Sequence, residues 1–310
     1  MPRNFHRRHA IIYLMALRAL LISLALALTA APARAGAGPL AGAQLYVNPS
    51  SSAARYVTSH PDPLIARIAD QPAAVWFDAG SSRQDIAAYV GGAGSRLPVL
   101  VAYNIPGRDC GSYSSGGAHS AAAYRSWLAM FAAAIGPRPA AVVLEPDALA
   151  ELSCLPHASL ALLRDAVHTL SRRHNIALYV DAGNASWIGA RTIAARLRAV
   201  GAQHFALNVS NFDTTVASVS YGRRIIAALG GRASFVIDTS RNGRGAAPGD
   251  PWCNPAGRAL GANPTTSTGQ VGVDAFLWIK APGESDGSCN GGPPAGVWWP
   301  QYARALALNG

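Results

Sequence analysis

The chain has 310 residues, 50% of them hydrophobic and 14% charged, with 31 Gly and 21 Pro. That apolar content, with no short period running through it, excludes a disordered tail, a coiled coil and a collagen-like repeat, and the length suits one large α/β domain. The net charge of +10 would fit a nucleic-acid binder, but Arg3, Arg7, Arg8, Arg18 and Arg34 supply half of it and residues 36–310 carry only +5. Those remaining basic residues are scattered, without the aromatic-interleaved stripe that tracks a phosphate backbone, so nucleic acid is not expected as a partner.

Residues 1–35 read as a secretory signal: a basic stretch, the apolar run 19–31, and Ala33-Arg34-Ala35 as a small-x-small cleavage site. A Gly/Ala spacer is expected over residues 36–43 and a single folded domain over 44–310. No other segment approaches the ~18 uninterrupted apolar residues of a membrane span, so no membrane association is expected after cleavage. All four cysteines, Cys110, Cys154, Cys253 and Cys289, fall in the exported part, where an even count favours two disulfides. Four cysteines allow three pairings, and their spacing does not suit a metal site.

Apolar runs rich in β-formers then recur at 45–47, 74–77, 98–103, 140–144, 177–180, 204–209, 234–237 and 275–279. Most are unbroken rather than alternating, as in parallel strands covered on both faces. Amphipathic or Ala-rich segments lie between them, at 121–134, 159–174, 188–200 and 216–229. Seven or eight such β/α units predict a closed barrel of the TIM type. A doubly wound open sheet competes, but no G-x-G-x-x-G follows the first strand.

Polar residues concentrate where these runs end. Asp78, Asp109, Asp147, Asp181, Asp238 and Asp286 are six of the 13 Asp, and all stand at or just past a C-terminal strand end, the barrel face on which active sites are built. Helix N-capping is the bland explanation and covers most of Asp78 and Asp238; Asp109 and Asp286 precede Gly- and Ser-rich loops instead. Carboxylates without His or Cys companions fit either a hard-cation site or paired acid/base chemistry. DxDxDG spacing is absent, so no metal is expected; there is no G-x-S-x-G elbow for acyl transfer, and the even cysteine count disfavours a thiol nucleophile. Trp76, Trp187 and Trp252 stand in or beside the same loops, with Tyr103 in a fourth. One Trp is more often core packing, but three beside polar loops suit the apolar faces of pyranose rings. Carboxylates and indoles in one cleft point to glycoside hydrolysis.

The segments LYVNPSSSAA, VAYNIPGRDCG, VVLEPDALA, LYVDAGNASWIG, NVSNF, FVIDTSRNGRG, WCNPAGRALG and FLWIKAPGESDGSC resemble, in order, motifs of the family 6 glycoside hydrolases, the cellulase family of cellobiohydrolases and endoglucanases. The resemblance implies a distorted seven-stranded β/α barrel, hydrolysis of β-1,4-glucan with inversion, and no cofactor. It assigns Asp147 as general acid, Asp109 as the neighbour that raises its pKa, and Asp181 as a supporting carboxylate. Asp286 is the position usually assigned as base, with Asp109 as the alternative, acting through a second water; inverting chemistry needs acid and base ~6.5–9.5 Å apart. Tyr103 would press on the sugar at the cleavage site and Ser115 would help to hold the attacking water. Trp76, Asp78, Trp187, Asn211, Trp252, Lys280 and Glu284 match sugar-binding positions, Lys280 being the chain's only lysine. The family's disulfide pairing is Cys110–Cys154 with Cys253–Cys289.

One departure stands out: Asn184 occupies a position where the family commonly has His, which puts the acceptor-side sugar contact in question. Asn184 and Asn208 also begin N-x-S glycosylation patterns, although a glycan on Asn184 would obstruct the cleft. With about 24 residues after Asp286, the long loop that encloses exo-acting members is not expected, and the reading is a secreted, monomeric endo-β-1,4-glucanase with an open groove. A cellobiohydrolase or mixed-linkage β-glucanase would differ in the ratio of viscosity loss to reducing ends. A non-catalytic glycan-binding relative would have no need of the like-charge cluster Asp109, Asp147 and Asp286.

Overall fold

A computed structural model describes residues 38–310 except His157, Ala158 and Asp250. The expected secretory signal therefore lies outside the described residues. Seven parallel strands follow one another round a single sheet: β1 (Val75–Phe77), β2 (Val99–Ala102), β3 (Ala140–Leu144), β4 (Ile176–Asp181), β5 (His204–Leu207), β6 (Ser234–Asp238) and β7 (Val273–Leu277). Between or beside them run α1 (Ser52–Ser59), α2 (Pro63–Ala69), α3 (Arg83–Gly92), α4 (Ala121–Ile135), α5 (Ser159–Ser171), α6 (Ala190–Val200), α7 (Thr215–Leu229) and α8 (Pro300–Asn309). The edges β1 and β7 meet through one parallel bridge between Ala73 and Trp278, where the Ala74 N–H donates to the Trp278 carbonyl at 2.9 Å. The sheet is thus the expected distorted seven-stranded barrel.

The unbroken apolar runs are explained by two-sided burial. Val99, Val101, Tyr103, Ala141, Val143, Tyr179, Ala206, Val236, Ala275 and Leu277 fill the inside, while their neighbours Leu100, Val142, Leu144, Val180, Phe205, Leu207, Phe235 and Ile237 face the helices. Leu40, within the expected spacer, is buried in the inner cluster. Trp278, the bridging residue, packs with Ile65, Ile68, Tyr302 and Leu306, so α2 and α8 cover the seam.

The run 45–47 is not an eighth strand. Only Leu45 bridges, to Leu97, and two residues past the run Pro49 has no N–H for a ladder, before Ser51 caps α1. Among the described residues no helix is long and apolar enough to cross a membrane.

Candidate active site

The loops after the C-terminal strand ends enclose a cleft of about 790 Å³. Trp76, Asp78, Tyr103, Asp109, Ser115, Asp147, Trp187, Asn211, Trp252, Lys280, Glu284 and Asp286 all line it. Asp181 alone of the expected catalytic and sugar-binding residues does not; it is fully buried beneath the floor, at the end of β4.

The turn after β3 decides where the central carboxylates go. Glu145 (φ 47°) and Asp147 (φ 69°) both adopt left-handed backbone conformations, which cost about 1–3 kcal/mol each and persist only where the surroundings enforce them. The Glu145 N–H continues the sheet to the Ala102 carbonyl at 2.8 Å, and the Asp147 N–H donates to Asp181 Oδ2 at 2.9 Å. Glu145 turns inward, where its carboxylate accepts the N–H groups of Asn104 and Ile105 at 3.0–3.1 Å. Burial pushes Glu145 up to about 7 in spite of these bonds. Asp147 turns into the cleft. Burial, then the negative charges of Asp181, Glu151, Asp109 and Asp286, raise it well above the usual carboxylate range. Burial pushes Asp181 up to about 7, against the backbone N–H groups of Asp147 and Gly183 that favour its anion.

Asp109 opens a short 3-10 turn (Asp109–Gly111) and is itself left-handed, φ 59°, with Oδ2 accepting the Ser114 N–H at 2.6 Å. Burial raises it more than that bond and Arg108 lower it. Asp286 is in the opposite state. Burial opposes its charge, but Arg241 Nη1 at 2.7 Å from Oδ2, Lys280 Nζ at 3.7 Å from Oδ1 and the Asn254 N–H at 3.0 Å outweigh burial and hold Asp286 below the usual range.

The aromatic and polar walls are equally well seated. Trp76 donates its indole N–H to the Ile279 carbonyl at 2.8 Å and meets Tyr103 edge-on, ring centroids 5.1 Å apart. Trp187 and Trp252 are each 45% exposed, leaving indole surface free at the rim. Lys280 Nζ donates to the Ser285 carbonyl at 3.0 Å, and Glu284 Oε1 accepts the Ser52 hydroxyl at 3.0 Å.

The sequence profile of glycosyl hydrolases family 6 matches residues 40–310. The chain belongs to this family. It is 42% identical over 318 residues to endoglucanase 1 of Streptomyces halstedii, covering 94% of this chain and 98% of that protein. It is 45% identical over 257 residues to endoglucanase A of Cellulomonas fimi, covering 79% of this chain but only 56% of that longer protein. Among solved structures, the endoglucanase Cel6 of Mycobacterium tuberculosis, in complex with methyl-cellobiosyl-4-deoxy-4-thio-β-D-cellobioside, superposes with a TM-score of 0.84 at 46% identity, covering 88% of this chain and 99% of that one.

Two disulfides brace the family-6 site, with the pairing that the resemblance implied. Cys110–Cys154 ties the Asp109 loop to the segment after Asp147, and Cys253–Cys289 ties the Trp252 loop to the Asp286 loop. Replacing both Cys110 and Cys154 by Ser is expected to lower stability by about 2–4 kcal/mol, checked by thermal unfolding.

Helix capping does not account for Asp78 or Asp238. Ser82 caps α3, and among the described residues no helix lies between β6 and β7 for Asp238 to cap. Asp78 pairs with Arg108 at 3.2 Å, and buried Asp238 accepts the N–H groups of Ser210, Ser240 and Lys280 at 2.9–3.0 Å, pinning three loops of the cleft together. Of the two glycosylation patterns, Asn208 is fully buried with its amide nitrogen donating to the carbonyls of Asp213 and Asp238. Asn184 is also buried and lines the cleft, its Oδ1 accepting the Ser186 N–H at 3.1 Å.

Several residues of the family-6 site escaped the sequence reading. Arg241 and Asn254 hold Asp286, Arg108 lies 4.5 Å over the Tyr103 ring, and Tyr113 faces Trp252 with ring centroids 6.0 Å apart. Tyr113 also rests on Gly287, where a β-carbon would come within 2.4 Å of it. Arg241 stands in a quoted motif, but nothing local distinguishes it from the neighbouring Arg244.

Proposed function

We propose that this family-6 hydrolase is a secreted, inverting endo-β-1,4-glucanase. The observation that carries the reading is the opposite tuning of two carboxyls in one cleft: Asp147 is built to keep a proton, Asp286 to remain charged. Such separation is what acid-assisted departure of a glycosidic oxygen requires. Asp147 protonates the leaving oxygen, and its buried partner Asp181 discourages early ionisation. A water attacks the anomeric carbon from the opposite face.

The engagement of Asp286 by Arg241 and Asn254 leaves it little basicity, which favours Asp109 as the group that collects the water's proton, with Ser115 beside it on the cleft wall. Asp286, kept ionised, then stabilises the positive charge developing on the sugar. Endo action is supported by the endoglucanase names of the relatives and by the half-exposed indoles, on which a continuous glucan chain can lie. Export is supported by the signal-like start and the two disulfides.

Stereochemistry tests the mechanism. Proton NMR during early hydrolysis of a cello-oligosaccharide should show the α-anomer forming first; a β-anomer would contradict inversion. The pH profile of kcat/KM should be bell-shaped. Rate is lost on the acid side as Asp109, raised above the ordinary Asp range, takes up a proton, and on the alkaline side as Asp147 gives one up. Trp187→Ala or Trp252→Ala should raise KM roughly tenfold, about 1.4 kcal/mol, with little change in kcat.

A further inference from the structure

Glu151 follows Asp147 by one turn, its N–H donating to the Asp147 carbonyl at 2.9 Å, and it lines the same cleft as Asp109. A carboxylate oxygen of Glu151 lies within 4.8 Å of both sulfurs of the Cys110–Cys154 bridge. Those sulfurs are oxidised and offer no thiolate, so the trio is not a metal-ligand set. Glu151 Oε2 is buried without a hydrogen-bond partner. The charges that act on it are acidic, Asp109 from the loop after β2, Asp147 after β3, and Asp181 at the end of β4, while Arg196 on α6 is engaged by the carbonyls of Leu149 and Ala150. Among the described residues the ion pairs engage Asp62, Asp78, Asp165 and Asp286, and none engages Glu151. Glu151 is half-buried and faces the cleft, yet no cation pairs with it, so its charge acts on the neighbouring acid catalyst through its field.

We propose that Glu151 is a positioning residue of the reaction: held between the Cys110–Cys154 bridge and the Asp109 and Asp147 carboxyls, it opposes ionisation of Asp147 and sets the alkaline limit of activity. The proposal rests on Asp147 being the general acid. Burial, with Asp109 and Asp181, pushes Glu151 up to about 7. It therefore gains its charge as the solution passes neutrality, and that charge opposes loss of the Asp147 proton. The sign follows: a new anion beside Asp147 raises the pKa of Asp147 and delays the alkaline limb.

The test is the pH dependence of kcat on carboxymethyl-cellulose for the wild type, E151Q, E151D and D147A. E151Q, of equal size but permanently neutral, should move the alkaline limb about one pH unit lower, so that the ratio of kcat at pH 8 to kcat at pH 5 falls roughly tenfold relative to wild type. E151D restores a charge and should return the limb toward the wild-type position, with melting temperatures confirming that both variants fold. An E151Q limb coincident with wild type, while D147A is inactive, overturns the role of Glu151 alone. A raised KM with an unmoved limb overturns it too, making Glu151 a sugar ligand. D147A retaining wild-type turnover overturns the acid assignment and this proposal together.

Discussion

Asp147→Ala is expected to lower kcat on carboxymethyl-cellulose by roughly two to four orders of magnitude while KM changes less than about threefold. The reason lies in what the leaving group needs. A sugar hydroxylate is too basic to depart unprotonated, and Asp147 is the cleft carboxyl that burial and surrounding anions hold in its protonated form. A substrate whose leaving group is an acidic phenol, such as a dinitrophenyl cello-oligosaccharide, departs without help. On that substrate the variant should lose less than about tenfold. Equal losses on both substrates would assign Asp147 a structural rather than an acid role.

The second large effect concerns Arg241, which is fully buried and paired to a nearly buried Asp286 at 2.7 Å. Arg241→Met keeps apolar bulk over the Phe212 ring, which the guanidinium carbon now faces at 4.5 Å, but it removes the close ion pair of Asp286 and leaves its charge with Lys280 at 3.7 Å and the Asn254 N–H at 3.0 Å. Breaking a buried pair in this way costs about 3–5 kcal/mol, a drop of roughly 6–15 °C in Tm for a domain of this size.

The pH dependence has a definite sign. In the wild type the lowered pKa of Asp286 contributes stability above its unfolded value, lost only as pH falls through the still lower folded value. In the variant burial, the largest influence on Asp286, is opposed only by Lys280 and the Asn254 N–H, so its folded pKa is expected to rise above the unfolded one. The destabilisation is then greatest at neutral pH and shrinks toward pH 4. Thermal melts of both proteins at pH 4 and pH 7 read this directly, and R241M/D286N should recover much of the loss at pH 7. A Tm gap independent of pH would mean that packing, not charge, is what Arg241 supplies.

The strands were legible because each is buried on both faces, which writes an unbroken apolar run into the sequence; 140–144 is one example, and it coincides with β3. The run 45–47 carries the same local signal, yet it has only one bridging partner and forms no strand. Helices α1, α2 and α8 lack a long apolar stripe because they cover a seam rather than a sheet face, and Pro63 and Pro300 at their starts look like turns in isolation.

The carboxylates of the cleft could be found because strand ends are recognisable and Asp is scarce. Their states could not. Asp147 and Asp286 are both Asp after an apolar run; what separates them is a guanidinium from the loop after β6 and an anion at the end of β4, brought together only by the closed sheet. Asp238 illustrates the converse. It sits where a helix cap is expected and instead ties three loops through their backbone N–H groups.

The most direct test uses residues 36–310, with oxidised cysteines, on carboxymethyl-cellulose, following viscosity and reducing ends together for the wild type and Asp147→Ala. An inverting endo-glucanase whose acid is Asp147 should collapse the viscosity while few reducing ends have appeared, and the variant should do neither. Reducing ends that accumulate without viscosity loss, or a wild type inactive on both this substrate and mixed-linkage glucan, would contradict that account.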